Sequence, residues 1–305
     1  MTAPLAFLNG RLLPAADATL AIHDAGIVSG ATVTDFCRTF AHQLYRWPDH
    51  LARFRRDCAA CFIDLPTSDA ELTATATALV EHNARLLPPG GELAVVTFAT
   101  PGPVGLYTGL PGRDGPPTVC MHTFPLPFDR YARFFRDGVA LSVAGAHGAD
   151  PDDLAPPAVK HRSRLHWWRA DRLVRQRTDV PTGAVAVLTD GRGHLTETAI
   201  GHVLLIHDDT VLFPPRGTVL DGISLAVVAE LCASLGIRHV ERPLPLAEVP
   251  AASEAMLCGT AFCLAGVRWL EGTTFPCPGP VTRRLLAAWS AAVGTDIAAA
   301  FLAGG

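Results

Sequence analysis

Apolar and polar positions change period several times along the chain, and each change marks an expected element. Asn9-Gly10 sits between short apolar runs and is the pair a two-residue hairpin turn selects, because both residues of that turn need positive φ. Residues 32–47 alternate through Val33, Asp35 and Cys37 and read as a second hairpin, turning near Ala41-His42-Gln43. A helix is expected from Asp49 as N-cap, with Leu51, Phe54, Cys58 and Phe62 along one face. Ser68 and Glu71 have the spacing of a capping box, which opens a second helix running to about residue 87. Strands are expected at 93–100 and 119–124.

Two prolines in Phe124-Pro-Leu-Pro-Phe128 suit an extended connector. The expected organisation is therefore an N-terminal α/β domain at 1–123, a connector at 124–128 and a C-terminal domain at 129–305. The second half begins with a strand at 139–144, followed by an Asp/Pro-rich loop at 149–157 that leads to Lys160. A long helix covers 163–177, and residues 184–213 are β-rich, with turns at Asp190-Gly191 and Asp208-Asp209. A helix opens at Gly222-Ile223-Ser224 and stops at Gly236, a residue suited to the left-handed position after a helix. A final helix is expected at 281–293. Helices and strands come in clusters without regular alternation, which predicts an α+β fold with largely antiparallel sheets.

Composition narrows the class. The chain has 305 residues, 49% hydrophobic and 18% charged, enough to bury a sizeable core and incompatible with disorder. A net charge of −4 without a basic block speaks against nucleic acid as a partner. No apolar run reaches the roughly 18–20 residues of a membrane span, and Met-Thr-Ala-Pro-Leu does not read as a signal peptide. The eight cysteines are scattered, as free thiols of a cytoplasmic protein would be, and Cys58-x-x-Cys61 has no second pair to complete a metal site.

Four features could carry chemistry. Lys160 lies beside Arg162 and Arg164, and neighbouring cations favour the uncharged amine that a Schiff-base nucleophile requires. The structural alternative is a solvated basic helix start. Gly222-Ile223-Ser224 offers free helical N–H groups and a hydroxyl to a phosphate, or Ser224 is a plain N-cap. Cys258-Gly259-Thr260 allows close backbone approach and adds a second hydroxyl, although ordinary turn chemistry explains it equally. Glu197 stands in an apolar β-rich stretch, where a carboxylate needs a cationic partner unless it faces solvent from an edge strand.

In this order and spacing, these pieces resemble the class IV aminotransferases, the fold type IV pyridoxal-phosphate enzymes. The resemblance runs through Leu8-Asn9-Gly10, His23-Asp24-Ala25-Gly26, the strand from Gly30 to Arg38, His50-x-x-Arg53, Lys160, Thr196-Glu197, Pro214-Pro215, Gly222-Ile223-Ser224 and Gly259-Thr260. It implies two domains with pyridoxal 5′-phosphate between them, a homodimer, and an exchange between an amino donor and a 2-oxo acid. Lys160 would form the Schiff base and shuttle the proton, and Glu197 would pair with the pyridine nitrogen. Arg53, Ile223, Ser224 and Thr260 would hold the phosphate.

Several positions depart from the family pattern. Thr34 stands where many transaminases have an aromatic residue, Asp35 replaces a common Glu, and His202 replaces an Asn. Leu165 occupies the place of a Tyr in branched-chain enzymes. Arg113 is the only arginine in the 97–115 region, where D-amino-acid enzymes carry an Arg-x-His trap. Arg38, Thr34, Arg113, Arg164 and Ala261 remain as substrate candidates, with Arg38 the first choice for a carboxylate. The resulting expectation is an aminotransferase for a small, branched-chain amino acid. An aminodeoxychorismate lyase that eliminates pyruvate is the alternative, and a non-catalytic cofactor-binding homologue is a third reading.

Overall fold

Asn9 (φ 47°) and Gly10 (φ 82°) turn the first hairpin in the left-handed region, as their sequence requires. The computed structural model describes residues 3–147, 154 and 156–304, so most of the expected loop at 149–157 lies outside the described residues. The chain packs as two compact units, Met1–Leu126 with Val159–Ser163, and Pro127–Ala158 with Arg164–Gly305.

The first unit contains β1 (Leu5–Leu8), β2 (Arg11–Pro14), α1 (Ala25–Val28), β3 (Val33–Phe40), β4 (Gln43–Leu44), α2 (Trp47–Ala60), α3 (Asp69–Asn83), β5 (Leu93–Thr100) and β6 (Thr118–Pro125). Its six strands form one antiparallel sheet in the order β2-β1-β6-β5-β3-β4. Strand alternation sends Val33, Cys37, Val95, Ala99, Val119 and Met121 to one face, where they pack with Leu51, Phe54, Leu72 and Leu79 of α2 and α3. The capping box at Ser68 forms in both directions.

Two expectations about α2 change. The helix opens at Trp47 with Arg46 as N-cap, two residues before Asp49, because Pro48 occupies the first turn, where its missing N–H costs nothing. Phe62 lies beyond the helix end at φ 56° and is 96% exposed, so it is not part of the buried stripe.

The second unit contains α4 (Phe128–Arg136), β7 (Val139–Ala146), α5 (Leu165–Gln176), β8 (Val185–Thr189), β9 (Leu195–Thr198), β10 (Gly201–His207), β11 (Thr210–Phe213), α6 (Ile223–Ser234), β12 (His239–Glu241), β13 (Glu254–Gly259), β14 (Cys263–Leu270), β15 (Thr273–Thr274), α7 (Pro280–Val293) and α8 (Ile297–Ala303). Strands β10-β13-β14-β7-β8-β9 pair in sequence, and β9 pairs back to β10, closing a six-stranded barrel. Parallel pairings of β7 with β14 and β8 make this sheet mixed. Closure leaves neither β9 nor β10 with a free edge.

The first half of the expected connector is strand, since β6 runs through Phe124 and Pro125. Its end is helix, because α4 begins at Phe128. Neither α4 nor α8 stands out in the sequence, since helices this short are marginal alone and depend on tertiary packing. Here Phe301 of α8 stacks on Phe135 (4.9 Å, 13°) and contacts Phe128 (4.8 Å) of α4.

Helix α7 has a buried anchor. The Glu254 carboxylate, 3% exposed, accepts the N–H groups of Val281 (2.8 Å) and Thr282 (3.1 Å) and the Thr282 hydroxyl (2.9 Å). A Cβ on Gly279 would lie 2.1 Å from this carboxyl, so only glycine fits at the N-cap. Glu254→Ala strands these buried donors and is expected to cost about 3 kcal/mol. Urea unfolding checks this, and an unchanged midpoint would remove the carboxylate from the stability of α7.

Candidate active site

In the first unit the chemistry gathers on α2. His50, Arg53 and Asp57 fall at i, i+3 and i+7, so they share a face of the helix. The alternation that points Val33 and Cys37 at α2 sends Asp35 there as well. The Asp35 carboxylate accepts Arg53 Nε (2.9 Å) and one terminal nitrogen (2.8 Å) through one oxygen, and pairs with His50 Nδ1 (2.6 Å) through the other. All three side chains are buried. Burial alone would push the Asp35 carboxyl up, but Arg53, His50 and Lys160 together hold it well below the usual carboxylate range.

Lys160 belongs to the short segment Val159–Ser163 of this unit. Its N–H donates to Asp57 Oδ2 (2.9 Å), and its carbonyl accepts from Thr34 N–H (2.8 Å). Arg162 lies over the Phe98 ring at 4.7 Å, on the sheet face opposite the helices. Thr34 is buried on that face and donates its hydroxyl to the Thr97 carbonyl. Arg38 is buried, with its guanidinium over Phe40 (3.9 Å) and Nε donating to the Thr39 carbonyl (3.2 Å). Arg113 is on an exposed loop.

In the second unit, the β9–β10 pairing sets Glu197 directly opposite His202. The Glu197 side chain is 19% exposed and lies between two paired strands, so it is no edge residue. His202 Nε2 is 2.8 Å from the Leu220 carbonyl and 3.4 Å from Glu197 Oε2. Its ring supports the start of α6, since a Cβ on Gly222 would meet His202 Cε1 at 2.4 Å. Arg164 donates to the Ala199 carbonyl. Burial pushes its pKa down, and the nearby charge of Glu197 opposes that shift.

Gly222, not Ser224, is the N-cap of α6, and the helix carries neither a side-chain cap nor an acid in its first turn. Ile223 is half-buried and Ser224 buried in that turn. Thr260 and Ala261 occupy the turn between β13 and β14, where a Cβ on Gly259 would lie 2.3 Å from the Ile200 carbonyl. Close approach of these turns therefore depends on glycine.

Arg53 and Lys160 thus lie in the first unit, and Arg164, Glu197, Ile223, Ser224, Thr260 and Ala261 in the second. Asp57 and the contacts of His50 and His202 are not among the features the sequence predicts. A carboxylate on the apolar stripe of α2 was the available signal for Asp57.

Uncapped N–H groups with a buried hydroxyl suit a phosphate, and a carboxylate backed by an imidazole suits a protonated ring nitrogen. A molecule that carries both defines a class of protein, the enzymes that work through a phosphorylated heteroaromatic cofactor. The match to known proteins narrows this. Residues 32–270 fit the family described as amino-transferase class IV; the chain belongs to that family of transferases, and its cofactor is pyridoxal 5′-phosphate. D-alanine aminotransferase of Bacillus licheniformis is 25% identical over 289 residues, covering 91% of this chain and 93% of that protein. The fold is similar to that of the Escherichia coli branched-chain amino acid aminotransferase (TM-score 0.84, 21% identity, 95% of this chain and 94% of that one). It is also similar to that of 4-amino-4-deoxychorismate lyase from Pseudomonas aeruginosa (TM-score 0.75, 23% identity, 94% and 98% covered).

Proposed function

We propose that this protein moves an amino group between a small amino acid, with branched-chain substrates the first choice, and a 2-oxo acid, with Nζ of Lys160 as the covalent anchor of the cofactor. One observation carries this: Lys160 is the only lysine in the chain, the rest of its 25 Lys and Arg residues being arginine. An anchor in this family must be a lysine amine, and the chain offers one.

Bound pyridoxal phosphate supplies an electron sink for negative charge developed at the substrate Cα. Lys160 takes the Cα proton and returns it. Glu197 holds the proton on the pyridine nitrogen. The first-turn N–H groups of Ile223 and Ser224, the Ser224 and Thr260 hydroxyls and the Arg53 guanidinium bind the phosphate dianion. Thr34 and Ala261 border the substrate, and Arg38, Arg113 and Arg164 are the cations available to its carboxylate.

A homodimer fits the exposed apolar side chains Ile22, Ile27, Leu106, Tyr107 and Leu110 of the first unit, which would gain from burial against a second copy. No single helix among the described residues is long and apolar enough to cross a membrane. The eight cysteines, six of them buried, fit a reducing cytoplasm.

Borohydride reduction of the protein with its cofactor should leave one adduct, on the peptide containing Lys160. A second experiment separates transfer from elimination. An amino donor given alone should change the visible absorbance of the cofactor once and then stop, until a 2-oxo acid restores it. Continuous turnover without acceptor would instead identify the lyase, which Leu165 favours by standing where branched-chain enzymes have a Tyr. Binding with neither response would identify a non-catalytic homologue. Glu197→Gln is expected to retain the cofactor while slowing exchange of the substrate Cα hydrogen in D2O by about 10²–10³-fold. A wild-type exchange rate would leave the ring nitrogen without its assigned partner.

A further inference from the structure

We infer that Asp57 is a positioning residue for Lys160, fixing the backbone from which the amine is presented. This rests on Lys160 being the cofactor's anchor.

Lys160 lies in a short segment outside the named helices and strands, and its backbone is held from outside on both sides. Asp57 of α2 accepts the N–H (2.9 Å) and Thr34 of β3 donates to the carbonyl (2.8 Å). The neighbouring residues repeat the docking: His161 bridges Val33, and Arg162 N–H donates to the Thr32 hydroxyl at 2.9 Å. Asp57 reaches this segment from a helix by a side chain that is 1% exposed.

A carboxylate is a costly choice for holding one amide, since burial penalises its charge. Desolvation pushes the Asp57 carboxyl up, against the Lys160 N–H, the Arg56 guanidinium and the charge of Arg53. Arg56 meets the other carboxylate oxygen at 3.0 and 3.1 Å, and is itself half exposed. In exchange, the hydrogen bond to Lys160 is charge-assisted, about twice as strong as a neutral one. Asp57 is also one helical turn beyond Arg53, so one rigid helix sets both the lysine backbone and the phosphate-binding guanidinium. The chain thereby holds two cofactor contacts, more than a hundred residues apart in sequence, in fixed relation.

The test is a double-mutant cycle read by equilibrium binding of pyridoxal 5′-phosphate to apoprotein, followed by absorbance. Four proteins are compared: wild type, Asp57→Ala, Lys160→Ala and the double variant. Asp57→Ala is expected to weaken binding about tenfold to a hundredfold when Lys160 is present, the equivalent of one charge-assisted hydrogen bond. In the Lys160→Ala background the same change should cost less than about twofold, because the backbone N–H remains but the amine that Asp57 positions is gone. Asp57→Asn keeps an acceptor and should recover most of the affinity.

Equal losses in both backgrounds would overturn the inference, since they would mean Asp57 acts through Arg53 or through the helix as a whole. So would unchanged affinity in Asp57→Ala. If the alanine variant does not fold, Asp57→Asn carries the cycle, with a loss of about threefold expected only when Lys160 is present. The anchor reading fails separately, if borohydride still attaches the cofactor to Lys160→Ala.

Discussion

Lys160→Ala is expected to abolish covalent attachment of pyridoxal phosphate and to lower amino transfer by at least about 10³-fold. No other lysine can take over, because the chain has none. The same residue is assigned both the anchoring amine and the proton transfer at Cα, and removing a positioned acid–base group alone costs typically 10²–10⁴-fold. Cofactor should still bind through Arg53, the α6 N-terminus and Thr260, so the variant separates binding from chemistry. Single-turnover absorbance with an amino donor measures the loss. Transfer near the wild-type rate in this variant would end the proposed mechanism.

The second large effect is structural. Asp35→Ala would leave Arg53 and His50 buried with their shared carboxylate gone, and removing one partner of a buried ion pair costs about 3–5 kcal/mol. Because Arg53 and Asp35 are both nearly inaccessible, water cannot make good the loss. The pH dependence follows from the depressed Asp35 carboxyl. A group whose folded pKa lies below its unfolded value, near 3.9 for an aspartate, contributes stability that is fully present above that value. The contribution is lost as pH falls through the folded pKa. Urea midpoints measured from pH 6 down to about 2.5 should therefore fall below roughly pH 4 in the wild type. Asp35→Asn should start lower and fall less steeply in that window. Parallel curves would mean that the triad contributes nothing specific to acid stability.

Much of the fold was legible because its signals are local. Asn9-Gly10, Ser68-x-x-Glu71 and Gly236 each act through dihedral preference or a hydrogen bond spanning a few residues, and each appears where the chain predicts it. The start of α2 was misjudged for a local reason too, since Pro48 competes with Asp49 for the first turn. Helices α4 and α8 were invisible because helices this short depend on tertiary packing, here of Phe128 and Phe135 against Phe301.

For the site, the chain alone determined which residue types are available and in what order: one lysine, one Gly-Ile-Ser helix start, one glutamate in a β-rich stretch. The tertiary structure alone decided what surrounds them. Strand parity put Asp35 on the helix face of β3, where it meets Arg53 and His50. Closure of the barrel set Glu197 opposite His202 and removed its solvent edge. Docking of a segment over a hundred residues away brought the Lys160 amide to Asp57. Such partnerships leave little trace in local sequence, because a buried charge requires a partner without specifying where along the chain that partner lies.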